Sequence, residues 1–208
     1  MALLKLDHGL RVLERRSLIA TYAIYAYIAL SFAMIVMLYG GMANWQGFYG
    51  SIDLVTISAL TTVVYWAGTL FAAIVILMWI YRAHANLFAA GMEGLKYTPG
   101  WSVGWFFIPI ANFFEPFQAM RELLQVSRYG NKPMMRDLPE LVPWWTFFVG
   151  SNVIGTVNGT AFVADDVQYL LAAVTLVLDI AAAWCLLQIV RVVTRAQTER
   201  LSMSHTFV

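Results

Sequence analysis

The chain has 208 residues, of which 61% are hydrophobic and only 12% are charged. This composition lies well outside the range of soluble domains, so it excludes a water-soluble enzyme and a nucleic-acid-binding module and predicts an integral membrane protein. The formal net charge of +1 results from nearly equal numbers of positive residues (13) and negative residues (12), and the positive residues cluster in particular segments. The single cysteine, Cys185, excludes a disulfide framework and a CxxC metal or redox motif.

Four apolar stretches predict four transmembrane helices, so the expected fold is an all-α integral membrane protein. The first stretch lies in a charge-free interval, and its core, Leu18 to Tyr39, would be about 33 Å long as a helix, enough to cross a bilayer. The other expected spans cover residues of about 54–81, 144–162 and 167–190. The glycine-rich loop after the first span places three aromatic residues at headgroup level, namely Trp45, Phe48 and Tyr49.

Residues 1–16 carry an amphipathic pattern. Leu3, Leu6, Leu10 and Leu13 recur at helical spacing, with charged residues on the other faces. The pattern fits a short helix on the membrane surface, or a helix that packs its leucines against the protein itself. The residues leave both interpretations open.

Residues 97–114 are apolar but are interrupted too often for one straight helix, and we call them the broken segment. Pro99, Gly100, Gly104 and Pro109 all disfavour a continuous spanning helix. The segment is therefore expected to dip into the bilayer as a re-entrant segment or to lie at its surface.

An amphipathic interfacial helix is expected over residues 116–128. Pro116 suits the first turn of a helix, and apolar residues such as Met120 and Leu123 share one face while Arg121 and Glu122 lie on the other. The glycine, prolines and mixed charge that follow this helix predict a loop on the same side of the membrane.

The positive residues predict the orientation. All thirteen Lys and Arg residues lie in the N-terminal arm, between Arg82 and Arg136, or from Arg191 onward. By the positive-inside rule, both termini and the central region are expected to be cytoplasmic, in a bacterial inner membrane. The broken segment has cytoplasmic charge on both sides, so it is expected to enter and leave from one face.

Several of these residues together resemble a known family. They are Trp79, Arg82, Asn86, Tyr97, Pro99, Gly100, Trp101, Phe107, Ile108, Pro109, Ile110, Asn112, Pro116, Met120, Glu122 and Leu123. The pattern resembles the bacterial membrane family catalogued as domain of unknown function 4328, over roughly Leu54 to Val193. One departure is Leu124, where the family pattern leads us to expect tryptophan. The resemblance implies a multi-span membrane protein and brings no established activity or catalytic residues.

Trp79, Arg82 and Asn86 are spaced to share one face of the second helix, whose pattern continues to a glycine stop at Gly91. In a structural interpretation they form a brace. The prolines of the broken segment leave backbone carbonyl groups without helical partners, which is costly in hydrocarbon. Arg82 and Asn86 would donate hydrogen bonds to these carbonyl groups.

In a functional interpretation, Arg82, His84 and Asn112 line a polar pocket for an anionic headgroup, a quinone or a substrate, as interrupted helices do in transporters. The candidate residues for the brace or the pocket are Trp79, Arg82, His84, Asn86, Pro99, Trp101, Pro109 and Asn112.

Asp179 lies near the middle of the fourth expected span, where a carboxylate is costly and indicates function by default. A proton relay needs a second titratable group, and none lies at comparable depth in the expected spans. The alternative is a protonated Asp179 that is hydrogen-bonded to Asn152, Thr156 or Tyr65.

Two glycine pairs predict close contact between helices. Gly155 and Gly159 lie in the third expected span, and Gly100 and Gly104 lie in the broken segment. Small residues four positions apart allow another helix to approach closely.

The leading functional hypothesis is a non-enzymatic accessory subunit that contacts membrane lipids and packs within a larger complex, such as an energy-converting one. HExxH, CxxC and carboxylate-cluster motifs are lacking, so no catalytic residue, metal or cofactor is predicted, whereas a bound lipid or quinone is compatible with the polar residues. The alternative is a small transporter or channel that uses the broken segment and Asp179. An enzyme acting on a lipid or quinone through Arg82 and His84 is a third interpretation, which lacks a visible nucleophile and base.

Overall fold

The computed structural model describes residues 2–42, 54–130, 138–160 and 165–203, which form helices and turns without a strand in these ranges. The helices are α1 (Ala2–Met42), α2 (Leu54–Ala89), α3 (Trp101–Gly104), α4 (Glu115–Tyr129), α5 (Leu141–Asn158) and α6 (Asp165–Met203). Two short 3-10 turns, Trp105–Phe107 and Ala111–Phe113, follow α3. The expected all-α fold is confirmed for this part of the chain.

Three helices in the described ranges are long and apolar enough to cross a membrane, which indicates a multi-pass membrane protein. Their candidate spans are Leu6–Gly40, Thr56–Ala89 and Val167–Leu201. The third expected span is present as α5, but this 18-residue helix is not among them. Polar residues such as Ser151 and Asn152 lower the mean hydropathy of α5. A fourth membrane crossing therefore stays a prediction.

The N-terminal residues do not form a separate surface helix, because α1 runs without a break from Ala2 to Met42. Leu6, Leu10 and Leu13 are buried, and the first two pack with Leu201 of α6. Of the two open interpretations, the structure therefore favours leucines that pack against the protein itself. The aromatic residues of the first loop, with the rest of residues 43–53, lie outside the described residues.

Helix α1 packs antiparallel to α2 and to α6, which run parallel to each other. Along α1 and α2, Arg16 meets Met78, and Tyr27 meets Tyr65 further into the bundle. Helix α1 also packs along α6, α6 packs along α5, and α4 rests on α6. The core is built from fully buried residues of these helices, including Trp79, Leu123 and Leu187.

The C-terminal ends of α2 and α6, which lie near α4, extend past the expected apolar spans of these helices. Helix α2 continues to Ala89 and ends at Gly91 in the left-handed region, with φ +71°. Met92 N donates to Leu87 O and Gly91 N donates to Phe88 O, so the predicted glycine stop is confirmed as a Schellman motif. Helix α6 continues to Met203, beyond the expected end near residue 190, because Gln197 and Leu201 continue its buried face.

The broken segment is irregular, as its prolines and glycines predict. It passes through α3 and the two 3-10 turns, with Pro109 between the turns, before α4 begins. Helix α4 begins one residue before and ends one residue after the expected range, and it stops at Gly130 with φ +69°. Leu124, the departure from the family pattern, is fully buried in α4.

Candidate functional site

A buried polar network joins four helices where α1, α2, α4 and α6 meet. Asn86 is fully buried on α2, and its Nδ2 donates to the carbonyl oxygen of Gly9 and to Gln197 Oε1, each at 3.3 Å. Gln197 Nε2 donates to Ala83 O at 3.0 Å and to Ser127 Oγ at 2.9 Å. Each of these polar groups therefore has a partner, as burial away from water requires.

Two flanking contacts extend the network. Arg82 donates from Nε at 2.9 Å and from Nη2 at 2.6 Å to Asn86 Oδ1, which fixes the orientation of the amide. Trp79 is fully buried, and its Nε1 donates to Thr194 Oγ1 at 3.1 Å. The predicted shared face of Trp79, Arg82 and Asn86 exists, but it connects α2 with α1 and α6. It donates no hydrogen bond to the broken segment, so the expected target of the brace is wrong.

The structure does not bring Arg82, His84 and Asn112 into one pocket. Arg82 and His84 are two positions apart on a helix, so they point in directions that differ by about 200°. His84 is fully buried in the core, with Nδ1 3.1 Å from Ile80 O, whereas Arg82 is half-exposed. Asn112 lies in the second 3-10 turn, and its buried Oδ1 has no hydrogen-bond partner among the described residues.

Glu122 anchors the start of the broken segment. Its carboxylate accepts hydrogen bonds from the backbone N–H of Lys96 at 2.7 Å and of Tyr97 at 3.1 Å. A carboxylate on α4 therefore satisfies two backbone donors of an irregular segment, which is a strong, charge-assisted arrangement. Sequence reasoning placed Glu122 on the polar face of this helix and missed this contact.

The side chain of Tyr97 completes the anchor. It is 3% exposed, and its hydroxyl donates to Glu115 Oε2 at 2.6 Å while accepting from Lys96 Nζ at 2.9 Å. Burial, reinforced by the hydrogen bond to Glu115, raises the pKa of Tyr97 above its ordinary value. The hydrogen bond to Tyr97 raises the pKa of Lys96, so the Lys96 ammonium and the Tyr97 hydroxyl keep their protons around neutral pH.

The remainder of the broken segment exposes large apolar side chains. Phe107 is 71% exposed, Ile110 80% and Phe114 63%. Trp101 is exposed beside Trp105, with ring centroids 4.8 Å apart, and Pro99 contributes only its carbonyl oxygen, which accepts from Ser102 Oγ. We call the exposed part around Phe107, Ile110 and Phe114 the apolar tip of the broken segment, and its anchored start at Tyr97 the base. An exposed apolar tip is suited to contact with lipid or with another apolar surface.

Asp179 lies near hydroxyl groups from two other helices, those of Ser151 of α5 and Tyr27 of α1. The Ser151 hydroxyl donates to Phe148 O of its own helix at 3.0 Å, and Tyr27 Oη lies 3.4 Å from Tyr65 Oη of α2. Of the expected partners, Tyr65 is connected to Asp179 only through Tyr27. Asn152 and Thr156 instead donate to carbonyl oxygens of their own helix, at Phe148 and Asn152 respectively.

The glycine pairs differ in what they contact. A Cβ added at Gly155 would lie 3.5 Å from Thr175 of α6, which fits the expected close helix contact. A Cβ at Gly159 would meet only backbone atoms of α5, one at Gly100 would meet nothing within 4 Å, and one at Gly104 would meet only the ring of Trp101. Close contact with another helix is therefore seen at one of the four glycines.

Gly9 is a structural position of the polar network that sequence reasoning missed. A Cβ at this position would clash with Arg82 Nη2 and Asn86 Oδ1, so the network requires a residue without a side chain. A lone glycine in an amphipathic helix gives no signal for such a contact. Gln197 did give a signal, because it continues the buried spacing of Leu187, Val190 and Thr194 along α6.

Comparison with known proteins gives a family match. The family described as Domain of unknown function (DUF4328) matches residues 49–197, which is more than half of the 208 residues. No curated protein and no solved structure matches the chain. The match includes the polar network residues on α2 and α6, the broken segment and its Glu122 anchor. This chain therefore belongs to the DUF4328 family of domains of unknown function.

Proposed function

We propose that this protein is a non-enzymatic subunit that packs within a larger complex of the bacterial inner membrane, possessing four membrane crossings and cytoplasmic termini. The observation that carries the proposal is the broken segment, whose apolar tip is exposed while its base is fixed by Glu122 and Tyr97. A rigid apolar projection suits the contact surface of a partner subunit better than it suits a water-filled site.

The proposed topology follows from charge and from helix packing. Helix α5 supplies the fourth crossing, since it packs against α6 through Gly150 and Gly155 rather than facing lipid alone. With Arg82 and Arg121 on either side of it, the broken segment enters the bilayer from the cytoplasmic face and returns to that face. Labelling of cysteines introduced at the two termini of intact and opened cells tests this orientation, and labelling from the outside would contradict it.

Co-purification tests the subunit role. Tagged protein is isolated from its own membrane in mild detergent, and the retained membrane proteins are quantified by mass spectrometry. The wild type is expected to retain a stoichiometric set of subunits, and Ile110→Asn, at the exposed tip, is expected to lose most of them. Phe88→Asn is the matched control, because Phe88 is 43% exposed on α2 outside the broken segment. A wild-type chain that emerges alone contradicts the role.

A second candidate function, a small transporter or channel, is favoured by the contacts of Asp179. A carboxyl group within a spanning helix lies near hydroxyl groups of α1 and α5, and ionisable residues in such positions mark proton and ion pathways in membrane proteins. Proton and cation flux into liposomes containing the purified protein tests this candidate. Asp179→Asn is expected to abolish flux, whereas Thr175→Val is the control, because the Thr175 hydroxyl contacts only its own helix at Leu171 O. Flux that is unchanged by Asp179→Asn contradicts the candidate.

A further inference from the structure

Two arginines on neighbouring helices meet at one edge of the apolar region. Arg16 is the last charged residue before the charge-free residues 17–52, and Arg82 is the first charged residue after the charge-free residues 54–81. Because α1 and α2 are antiparallel, these two boundaries coincide: Arg16 Nη1 donates to Met78 O at 2.7 Å, one turn from Arg82. Both guanidinium groups therefore lie where hydrocarbon gives way to lipid headgroups.

The two guanidinium groups point in different directions. That of Arg82 is turned toward Asn86 and Gly9, whereas that of Arg16 is turned toward Met78. Among the described residues, neither guanidinium is paired with a carboxylate. Arg82 contacts the neutral amide of Asn86 and Arg16 contacts a backbone carbonyl group, so each retains donors that are not used. The half-buried Arg16 guanidinium is therefore suited to an anion with several acceptor oxygens.

An apolar cleft adjoins Arg16 on the membrane side. Its volume is about 280 Å³, and it is lined by Arg16, Leu77, Met78, Tyr81 and Val103. Leu77, Met78 and Val103 are hydrocarbon-like surfaces, and Tyr81 is 47% exposed at the level where aromatic residues border the headgroups. The cleft therefore offers an apolar path that begins at a cationic end.

We propose that Arg16 and this cleft bind an anionic phospholipid of the cytoplasmic leaflet. The phosphate accepts hydrogen bonds from the Arg16 guanidinium, and the first part of an acyl chain lies along Leu77, Met78 and Val103. The lipid neutralises Arg16 and covers the junction of α1, α2 and α3. This site does not depend on the subunit role, since it uses residues of this chain alone.

Lipid retention tests the site. The full-length protein, purified in a neutral detergent, is mixed with equal amounts of phosphatidylglycerol and phosphatidylcholine, and bound lipid is measured by native mass spectrometry. The wild type is expected to retain phosphatidylglycerol preferentially. Arg16→Gln is expected to lower this retention about fivefold, as expected for one charge at a lipid surface, while Arg16→Lys preserves most of it. Equal retention of the two lipids by the wild type would overturn the proposal.

Matched variants distinguish a specific lipid site from general electrostatic attraction between anionic lipid and the positive residues of the protein. Arg15→Gln removes the same charge one residue away, from an exposed side chain, and is expected to change retention less than twofold. A loss in Arg15→Gln equal to that in Arg16→Gln would overturn the proposal, as would displacement of the lipid by inorganic phosphate at millimolar concentration. Val103→Phe narrows the cleft without changing charge and is expected to lower retention. If Arg16→Gln fails to fold, unchanged retention in Val103→Phe overturns the proposal.

Discussion

The side-chain amide of Asn86 donates a hydrogen bond to the backbone carbonyl oxygen of Gly9, 3.3 Å away across the α1–α2 interface. A helical carbonyl that accepts a side chain from another helix must be approached closely, and a side chain on Gly9 would block that approach. The contact fixes the register of α1 against α2 on the side of the bundle where α4 also packs.

Gly9→Ala is expected to destabilise the protein by about 1–3 kcal/mol, because the new methyl group displaces Arg82 and Asn86. Helix propensity alone predicts the opposite sign, since alanine stabilises a helix interior by about 0.5–1 kcal/mol relative to glycine. Thermal unfolding in mild detergent measures the effect. Gly100→Ala is the matched control, because Gly100 has φ −69° and open space at its Cβ. A Gly9→Ala protein as stable as this control contradicts the prediction.

Gln197→Leu is expected to destabilise the protein by about 1–3 kcal/mol. The leucine leaves Ser127 and the carbonyl group of Ala83 without their donor and removes one acceptor from Asn86. Denaturation of the purified variant, followed by circular dichroism, provides the measurement. Gln188→Leu, a half-buried position on the same helix, is expected to leave stability unchanged or slightly higher. Equal behaviour of the two variants would show that the network contributes nothing measurable.

Glu122→Ala is expected to release the start of the broken segment. The backbone N–H groups of Lys96 and Tyr97 lose their acceptor, so their hydrogen exchange is expected to accelerate by at least about tenfold, for a loss of about 1.5–3 kcal/mol in local stability. Exchange measured on peptides that cover residues 95–102 tests this. Glu122→Gln retains a carbonyl acceptor and is expected to show a smaller effect, and Glu93→Ala, at an exposed residue, is expected to show none.

The Arg128–Glu140 ion pair makes stability depend on pH in the acidic range. Burial alone would raise the pKa of Glu140, but the hydrogen bonds and charge of Arg128, with a backbone hydrogen bond, lower it below its ordinary value of 4.5. A lowered carboxyl pKa stabilises the folded state above the ordinary value, and this contribution is lost as pH falls through the lowered value.

The contribution of this pair is expected to be about 1 kcal/mol or less, because both side chains remain partly exposed. Glu140→Gln is expected to remove the corresponding slope from a plot of unfolding temperature against pH below 4.5. Glu199→Gln, in a far more exposed pair with Arg195, serves as the control and is expected to leave the slope in place. An unchanged slope in Glu140→Gln contradicts the assignment.

The long helices and the end of α2 were predictable because they depend on local patterns, whereas α6 runs to Met203, well past its expected end. Apolar length gave α1, α2 and α6, and the glycine after α2 gave its Schellman stop. The partners of the polar residues were not predictable in the same way. Spacing placed Asn86 on a helix face, but its partners are Gly9, 77 residues away, and Gln197, 111 residues away.

The contacts that anchor the broken segment were also not predictable from the sequence. Prolines predicted that backbone groups would lose their helical partners, and Arg82 and Asn86 were the expected donors to them. The structure instead satisfies backbone donors, the N–H groups of Lys96 and Tyr97, with an acceptor from the following helix. Only the packing of α4 against the segment decides which groups meet, and hydrophobic periodicity does not encode that distance.

The length of the three long helices has a mechanical consequence. Helix α1 has 41 residues, α2 has 36 and α6 has 39, so they are about 54–62 Å long, roughly twice the thickness of the hydrocarbon core. Each helix crosses the bilayer and continues into the region of the polar network as one stiff rod. A change in membrane thickness that tilts these rods by about 10° would move their outer ends by about 4 Å. The helix ends that carry the polar network would therefore move when the thickness of the surrounding bilayer changes.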